Sequence, residues 1–338
     1  MSHFISDFIK PHEIAKWQRG QNVIIRAQTG AGKTFFFLNF LTQYYEKENF
    51  KLLIFSNRDI LKQQNEKNKS GEIICYNYQF VEHMPKEKIE QVLDSFDVII
   101  FDECHYFFSD SNFNENTDLI LEYASKSNHQ IKIFASATPE PLFAFGINFD
   151  HRYYLPKDYS FIEQIIFYDD FSDIVETIIQ DPRKSICFFS DSLNALNFKI
   201  EYKDDVEFVC SSNNSFWRVA NQELLQNIVD FSRFDCHVLA TTSVIDNGVN
   251  ILDPEVKNVI IDTYSPIDVV QMLGRKRVGD DEKIRLFLKM PNIAIINRNR
   301  FVKTKLTNKT AIIYRNFLNN FFDVVFKMRL CSFLDFLF

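Results

Sequence analysis

The sequence predicts an α/β protein built from two tandem doubly wound parallel sheets, followed by a mainly helical C-terminal tail. Short, continuous apolar runs rich in Ile, Val and Phe alternate with stretches of helical spacing. Strands of that kind belong in a parallel sheet covered by helices on both faces, because neither face meets water. The alternation pauses once near the middle and then restarts, and 338 residues give room for two such units.

The first unit, residues 1–150, has candidate strands at 22–27, 51–56, 72–76, 97–101 and 131–135, with helical patterns such as 34–48 and 58–68 between them. Across 150–170 the rhythm breaks at His151, Arg152, Tyr153, Tyr154 and Pro156. The second unit, 151–290, offers strands at 185–190, 206–210, 237–242, 256–262 and 283–289, and helices at 171–180, 192–202, 217–231 and 266–275. Residues 291–338 form the helical tail, whose Phe-rich end, 321–338, packs on the body or continues into a longer protein.

Composition narrows the function. Apolar residues make up 46% and charged residues 25%, ordinary globular values that exclude a disordered chain. The formal charge of −7 argues against coating nucleic acid by bulk attraction, but it is unevenly spread. Residues 271–338 carry 14 Lys and Arg against 5 Asp and Glu, a net of +9, whereas residues 1–270 are at −16. The basic end permits a local phosphate contact. Six cysteines without a C-x-x-C pair read as small buried hydrophobes in a reducing compartment. The N-terminus lacks the apolar core of a signal peptide and no run is long enough to span a membrane, so a soluble, cytoplasmic protein is expected.

Five segments carry chemistry. Ala27-Gln28-Thr29-Gly30-Ala31-Gly32-Lys33-Thr34 follows the run Val23-Ile24-Ile25 and opens a helix, as in a P-loop NTPase. Two glycines let successive backbone N–H groups curl round phosphate oxygens, Lys33 reaches the β- and γ-phosphates, and Thr34 reaches Mg²⁺. Farther on, a buried strand ends in Asp102-Glu103-Cys104-His105. Asp102 is suited to a hydrated metal, Glu103 to orienting and deprotonating water. Cys104 and His105, neighbours on one short segment, cannot enclose an ion. Ser136 and Thr138, in Ala135-Ser136-Ala137-Thr138-Pro139, can hydrogen-bond the acids of a neighbouring strand tip. The second unit contributes the segment 240–250, with Thr241, Thr242, Asp246, Gly248 and Asn250, and Gln271-Met272-Leu273-Gly274-Arg275-Lys276-Arg277. Either Arg275 or Arg277 can supply a cation to a γ-phosphate from across a cleft. Average usage is about 7% Gly. This chain has only 8, and Gly30, Gly32, Gly248 and Gly274 all fall in these segments.

Taken in order, the five segments resemble the motifs of superfamily 2 helicases, the DEAD/DEAH-box group, with DECH in the box position. Phe55-Ser56-Asn57-Arg58, Tyr76-Asn77-Tyr78-Gln79 and Phe188-Phe189-Ser190 resemble flanking motifs of the same group. The resemblance implies two RecA-like domains with ATP and Mg²⁺ between them and single-stranded nucleic acid across both. On that basis Lys33, Thr34, Asp102 and Glu103 bind and hydrolyse ATP, with Gln28 to Gly32 around the phosphates. Ser136 and Thr138 couple hydrolysis to strand movement, and Asp246, Gly248, Gln271 and Arg275 form the second wall. Asn57, Arg58, Tyr78, Gln79, Thr241 and Thr242 touch the nucleic acid. The family's second motif VI arginine falls on Val278, with Arg277 one residue early, and its adenine-reading glutamine corresponds only to Gln18. The implied activity is an ATP-dependent helicase or translocase, with DNA slightly favoured over RNA by the string Gln271 to Arg275. A duplex translocase that never separates strands and a non-hydrolysing nucleic-acid clamp are the alternatives.

Overall fold

The computed structural model describes residues 4–56, 73–78, 84–109, 117–126, 129–242, 249–279 and 281–289. Two compact units divide the chain: residues 1–139 with 149–290, and residues 140–148 with 291–338. The described part of the smaller unit contains one 3₁₀ turn, Glu140–Phe145. The larger unit contains two six-stranded sheets in which every strand pair is parallel.

The first sheet is formed by β1 (Asn22–Arg26), β2 (Leu52–Ser56), β3 (Ile73–Asn77), β4 (Val98–Asp102), β5 (Ile131–Ser136) and β6 (His151–Tyr154), in the order β3-β2-β4-β5-β1-β6. The second has β7 (Ile162–Tyr168), β8 (Lys184–Phe189), β9 (Val206–Phe208), β10 (Val238–Thr242), β11 (Val256–Asp262) and β12 (Ile284–Lys289), in the order β7-β12-β11-β8-β10-β9. Strands β2, β4, β5 and β10 are buried at every residue, which is why they read as mainly apolar runs.

Helices cover the sheets. α1 (Ile5–Phe8) and α2 (Pro11–Ile14) bury Ile5, Ile9 and Ile14 against the core beneath β1. After the first loop, α3 (Lys33–Phe35) runs through a π-helical stretch (Phe36–Leu41) into α4 (Thr42–Glu46), burying Phe36, Phe37 and Leu41. α5 (Lys86–Asp94), α6 (Tyr106–Ser109) and α7 (Thr117–Lys126) complete the first half. On the second sheet lie α8 (Val175–Gln180), α9 (Ser192–Glu201), α10 (Gln222–Phe231) and α11 (Pro266–Leu273). Asp191, Asn221 and Ser265 cap the last three by accepting a backbone N–H, which satisfies one orphan donor of each first turn.

Two strands depart from the sequence expectation. β6 and β7 fall in the stretch read as a pause; their residues are mostly half-buried or exposed, and Glu163 and Gln164 interrupt β7. Both are edge strands, covered less than the sheet centres. The expected helix at 58–68 and the helical tail at 291–338 lie outside the described residues.

Candidate active site

The functional side chains gather at the carboxyl ends of the strands, where a parallel sheet leaves its loops and crevices. β1 runs into the glycine loop. Gly30 has φ +90° and Gly32 φ +74°, conformations that a side chain would strain. α1 backs this loop: the Ile5 N–H donates to the Ala31 carbonyl at 3.1 Å. Lys33 begins α3 with its side chain buried, its Nζ 3.3 Å from Glu103 Oε1 and donating to the Ala27 carbonyl at 3.4 Å.

Asp102 is the last residue of β4, and its Oδ1 accepts the Glu103 N–H at 3.0 Å. Glu103 has φ +50°, rare for a side chain of its kind and a place where backbone strain is held at a site. The turn closes with the Tyr106 N–H on the Glu103 carbonyl at 2.9 Å. His105 Nδ1 lies 3.2 Å from Glu103 Oε2, 3.0 Å from Ser136 Oγ and 3.5 Å from Gln271 Nε2. Ser136 Oγ also accepts the Thr138 N–H at 3.0 Å. One imidazole therefore touches the acidic box, the β5 tip and α11 of the second sheet.

The second sheet meets the glycine loop directly. A Cβ built on Gly274 would come within 2.6 Å of both Cβ and Oγ1 of Thr29, so only glycine lets α11 end there. A Cβ on Gly30 would lie 2.6 Å from Arg277 Nη1, which puts that guanidinium on the loop. Arg277 Nε donates to Asn250 Oδ1 at 3.0 Å, and its N–H donates to the Ile251 carbonyl at 2.9 Å. Arg275, by contrast, is 1% exposed, buried like Lys33, Asp102 and Glu103. Between loop and arginine is a cleft of about 290 Å³, lined also by Asp158, Tyr159 and Phe161. Gln28 and Asp158 tie its wall: Gln28 Nε2 donates to the Asp158 carbonyl at 3.0 Å, and the Asp158 N–H returns to Gln28 Oε1 at 2.9 Å.

Lys33, Asp102, Glu103, Ser136, Thr138 and Gln271 thus converge with Gly30, Gly32 and Arg277, while Thr34 is half-buried at the head of α3. Asn57, Arg58, Gln79, Asp246 and Gly248 lie outside the described residues. Gln18 is exposed. The expectation for Tyr78 is corrected: its side chain is fully buried and its hydroxyl is hydrogen-bonded inside the sheet, so it presents nothing to an external strand. Thr241 and Thr242 end β10 with buried side chains as well. Asn250, Asp158 and the backing by Ile5 went unassigned as site features. Asn250 is within a motif and had that signal, but the others pair with residues far away in sequence, which no local pattern marks.

A glycine loop on one parallel sheet, met by an arginine from a second, defines a two-lobed P-loop nucleotide hydrolase with tandem RecA-like sheets. Residues 39–143 match the DEAD/DEAH box helicase family and residues 3–70 the Type III restriction enzyme, res subunit. Both matches lie within residues 3–143, and over that part the chain is similar to the DEAD/DEAH box helicases, a family of ATP-hydrolysing enzymes that depend on nucleic acid. No curated protein matches the sequence. Among solved structures, S. cerevisiae Dbp5 bound to RNA and ADP BeF3 is similar at 14% identity and a TM-score of 0.52, over 85% of this chain and 83% of that one. Mss116p bound to ssRNA and AMP-PNP is similar at 18% identity and 0.53, over 88% and 71%. Escherichia coli HrpB, a DEAH/RHA helicase, is similar at 13% and 0.56, over 87% and 43%. At these identities the likeness is one of fold, and it spans both sheets.

Proposed function

We propose that the protein moves along nucleic acid and separates its strands, DNA ahead of RNA, by hydrolysing ATP in the cleft between the two sheets. The observation that carries this reading is the placement of the Arg277 guanidinium on Gly30 while Glu103 and Lys33 pair 3.3 Å apart behind the same loop. A triphosphate taken up by the loop amides draws Lys33 onto its β- and γ-oxygens and leaves the Glu103 carboxylate to accept a proton from water. That water's oxygen bonds to the γ-phosphorus as the bond to the β-phosphate oxygen breaks, and ADP departs. Arg277 stabilises the charge spread over the transferring group.

The Asp102 carboxylate at a strand end and the Thr34 hydroxyl are hard oxygen donors that fit Mg²⁺, which keeps waters and takes the rest of its shell from substrate phosphates. Bound there, Mg²⁺ would neutralise charge on the β- and γ-oxygens. His105, through Ser136 and Gln271, passes the state of the box to the β5 tip and to α11. Thr138 joins that relay through Ser136. Asp246, Gly248, Gln271 and Arg275 are proposed for the second wall, and Asn57, Arg58 and Gln79 for the nucleic-acid face. No helix among the described residues is long and apolar enough to cross a membrane, and we place the protein in the cytoplasm.

The test is steady-state ATP turnover with and without matched single-stranded DNA and RNA, beside a strand-displacement assay. The expected result is stimulation of the wild type, more by DNA, and loss of turnover in Lys33→Ala and Glu103→Gln. Wild-type turnover no greater than that of these variants would overturn the reading.

A further inference from the structure

Tyr78 directly follows β3, an edge strand of the first sheet, yet its side chain is completely buried. Its hydroxyl donates to the Asp102 carbonyl at 2.9 Å, and its ring stacks on Tyr106 with centroids 4.5 Å apart. Asp102 and Tyr106 are the two ends of the turn that carries Glu103, so one side chain grips the turn from both sides. To do so it reaches past β2, over the Phe55 ring at 5.2 Å. A phenylalanine would fill the same stack. The hydroxyl adds only the bond to Asp102. The turn it grips holds Glu103 at φ +50°, a conformation that persists only where the surroundings enforce it.

We propose that Tyr78 is a positioning residue for ATP hydrolysis, fixing the left-handed backbone at Glu103, and with it the carboxylate that receives the proton, through the Asp102 carbonyl and the Tyr106 ring. The proposal rests on the reading of Glu103 as general base. Tyr78 is joined to the Asp102 carbonyl and the Tyr106 ring rather than to the glycine loop, so its effect is expected on catalysis ahead of ATP binding.

Tyr78→Phe is measured by steady-state ATP turnover and, in the Glu103→Gln background, by single-turnover hydrolysis with enzyme in excess. The expected result is kcat reduced about 5- to 10-fold with KM for ATP within about twofold, the scale of one lost hydrogen bond. Because Tyr78 acts through Glu103, the same change on Glu103→Gln leaves the residual rate where it was. An unchanged kcat for Tyr78→Phe beside a slow Glu103→Gln overturns the proposal alone. Equal losses in both backgrounds also overturn it, since a role confined to packing acts regardless of the base. Glu103→Gln turning over at the wild-type rate removes the base assignment and the proposal together.

Discussion

Arg275 and Arg277 stand two positions apart after α11 and meet different surroundings. The Arg275 carbonyl accepts the Ile251 N–H at 2.8 Å and its side chain is buried, whereas Arg277 extends onto the glycine loop. Removing a buried cation strands its partners and opens a cavity, so Arg275→Ala is expected to lower folding stability by about 3 kcal/mol in urea titrations. Arg277→Ala is expected to leave that stability within about 0.5 kcal/mol. Equal unfolding midpoints for the two variants would count against the assignment.

A second residue-scale prediction concerns Lys132, buried in β5 with Nζ donating to the Ala124 carbonyl at 2.6 Å. Burial lowers its pKa to about 8. The folded chain therefore sheds this proton near pH 8 while the unfolded chain keeps it to about 10.4, and stability gains from Lys132 as pH rises through that window. Relative to Lys132→Met, the wild type should gain up to about 3 kcal/mol between pH 8 and 10.5. A pH-independent difference between the two would refute it.

Single elements show what the chain made legible before its structure. The glycine loop and DECH box are contiguous, because phosphates and metal must be met by successive groups at one strand end, and contiguous requirements leave contiguous traces. Central strands such as β4 were legible through complete burial. β6 and β7 were not, since both are edge strands whose residues are mostly half-buried or exposed. The different surroundings of Arg275 and Arg277 were likewise hidden, because α11 stops at Leu273 and the direction of the chain beyond it depends on the bridge from Ile251 to Lys276. Gly274 was legible as a motif glycine, though its reason, contact with Thr29, was not. Gly274→Ala is predicted to cut kcat at least about 10-fold by pushing α11 off the loop, with near-normal thermal stability. Thr29→Gly in the same chain, which removes the atoms in conflict, should recover part of it. Wild-type kcat for Gly274→Ala would mean that the α11 contact is dispensable.

For the molecule as a whole, the two sheets share the surface proposed as catalytic. The second sheet presents Gly274, Gln271 and Arg277 to the loop and box of the first, and the Gln28–Asp158 exchange fastens the connecting chain to the same loop. On the proposed function, hydrolysis depends on how the sheets meet, and a strand held by both would be moved by each cycle of turnover. Single-turnover hydrolysis at saturating ATP, in the wild type and in Arg277→Ala, tests this most directly. A loss of about 10³-fold or more in the variant, with ATP binding nearly intact, is the predicted result. An Arg277→Ala enzyme that hydrolyses bound ATP as fast as the wild type would contradict it.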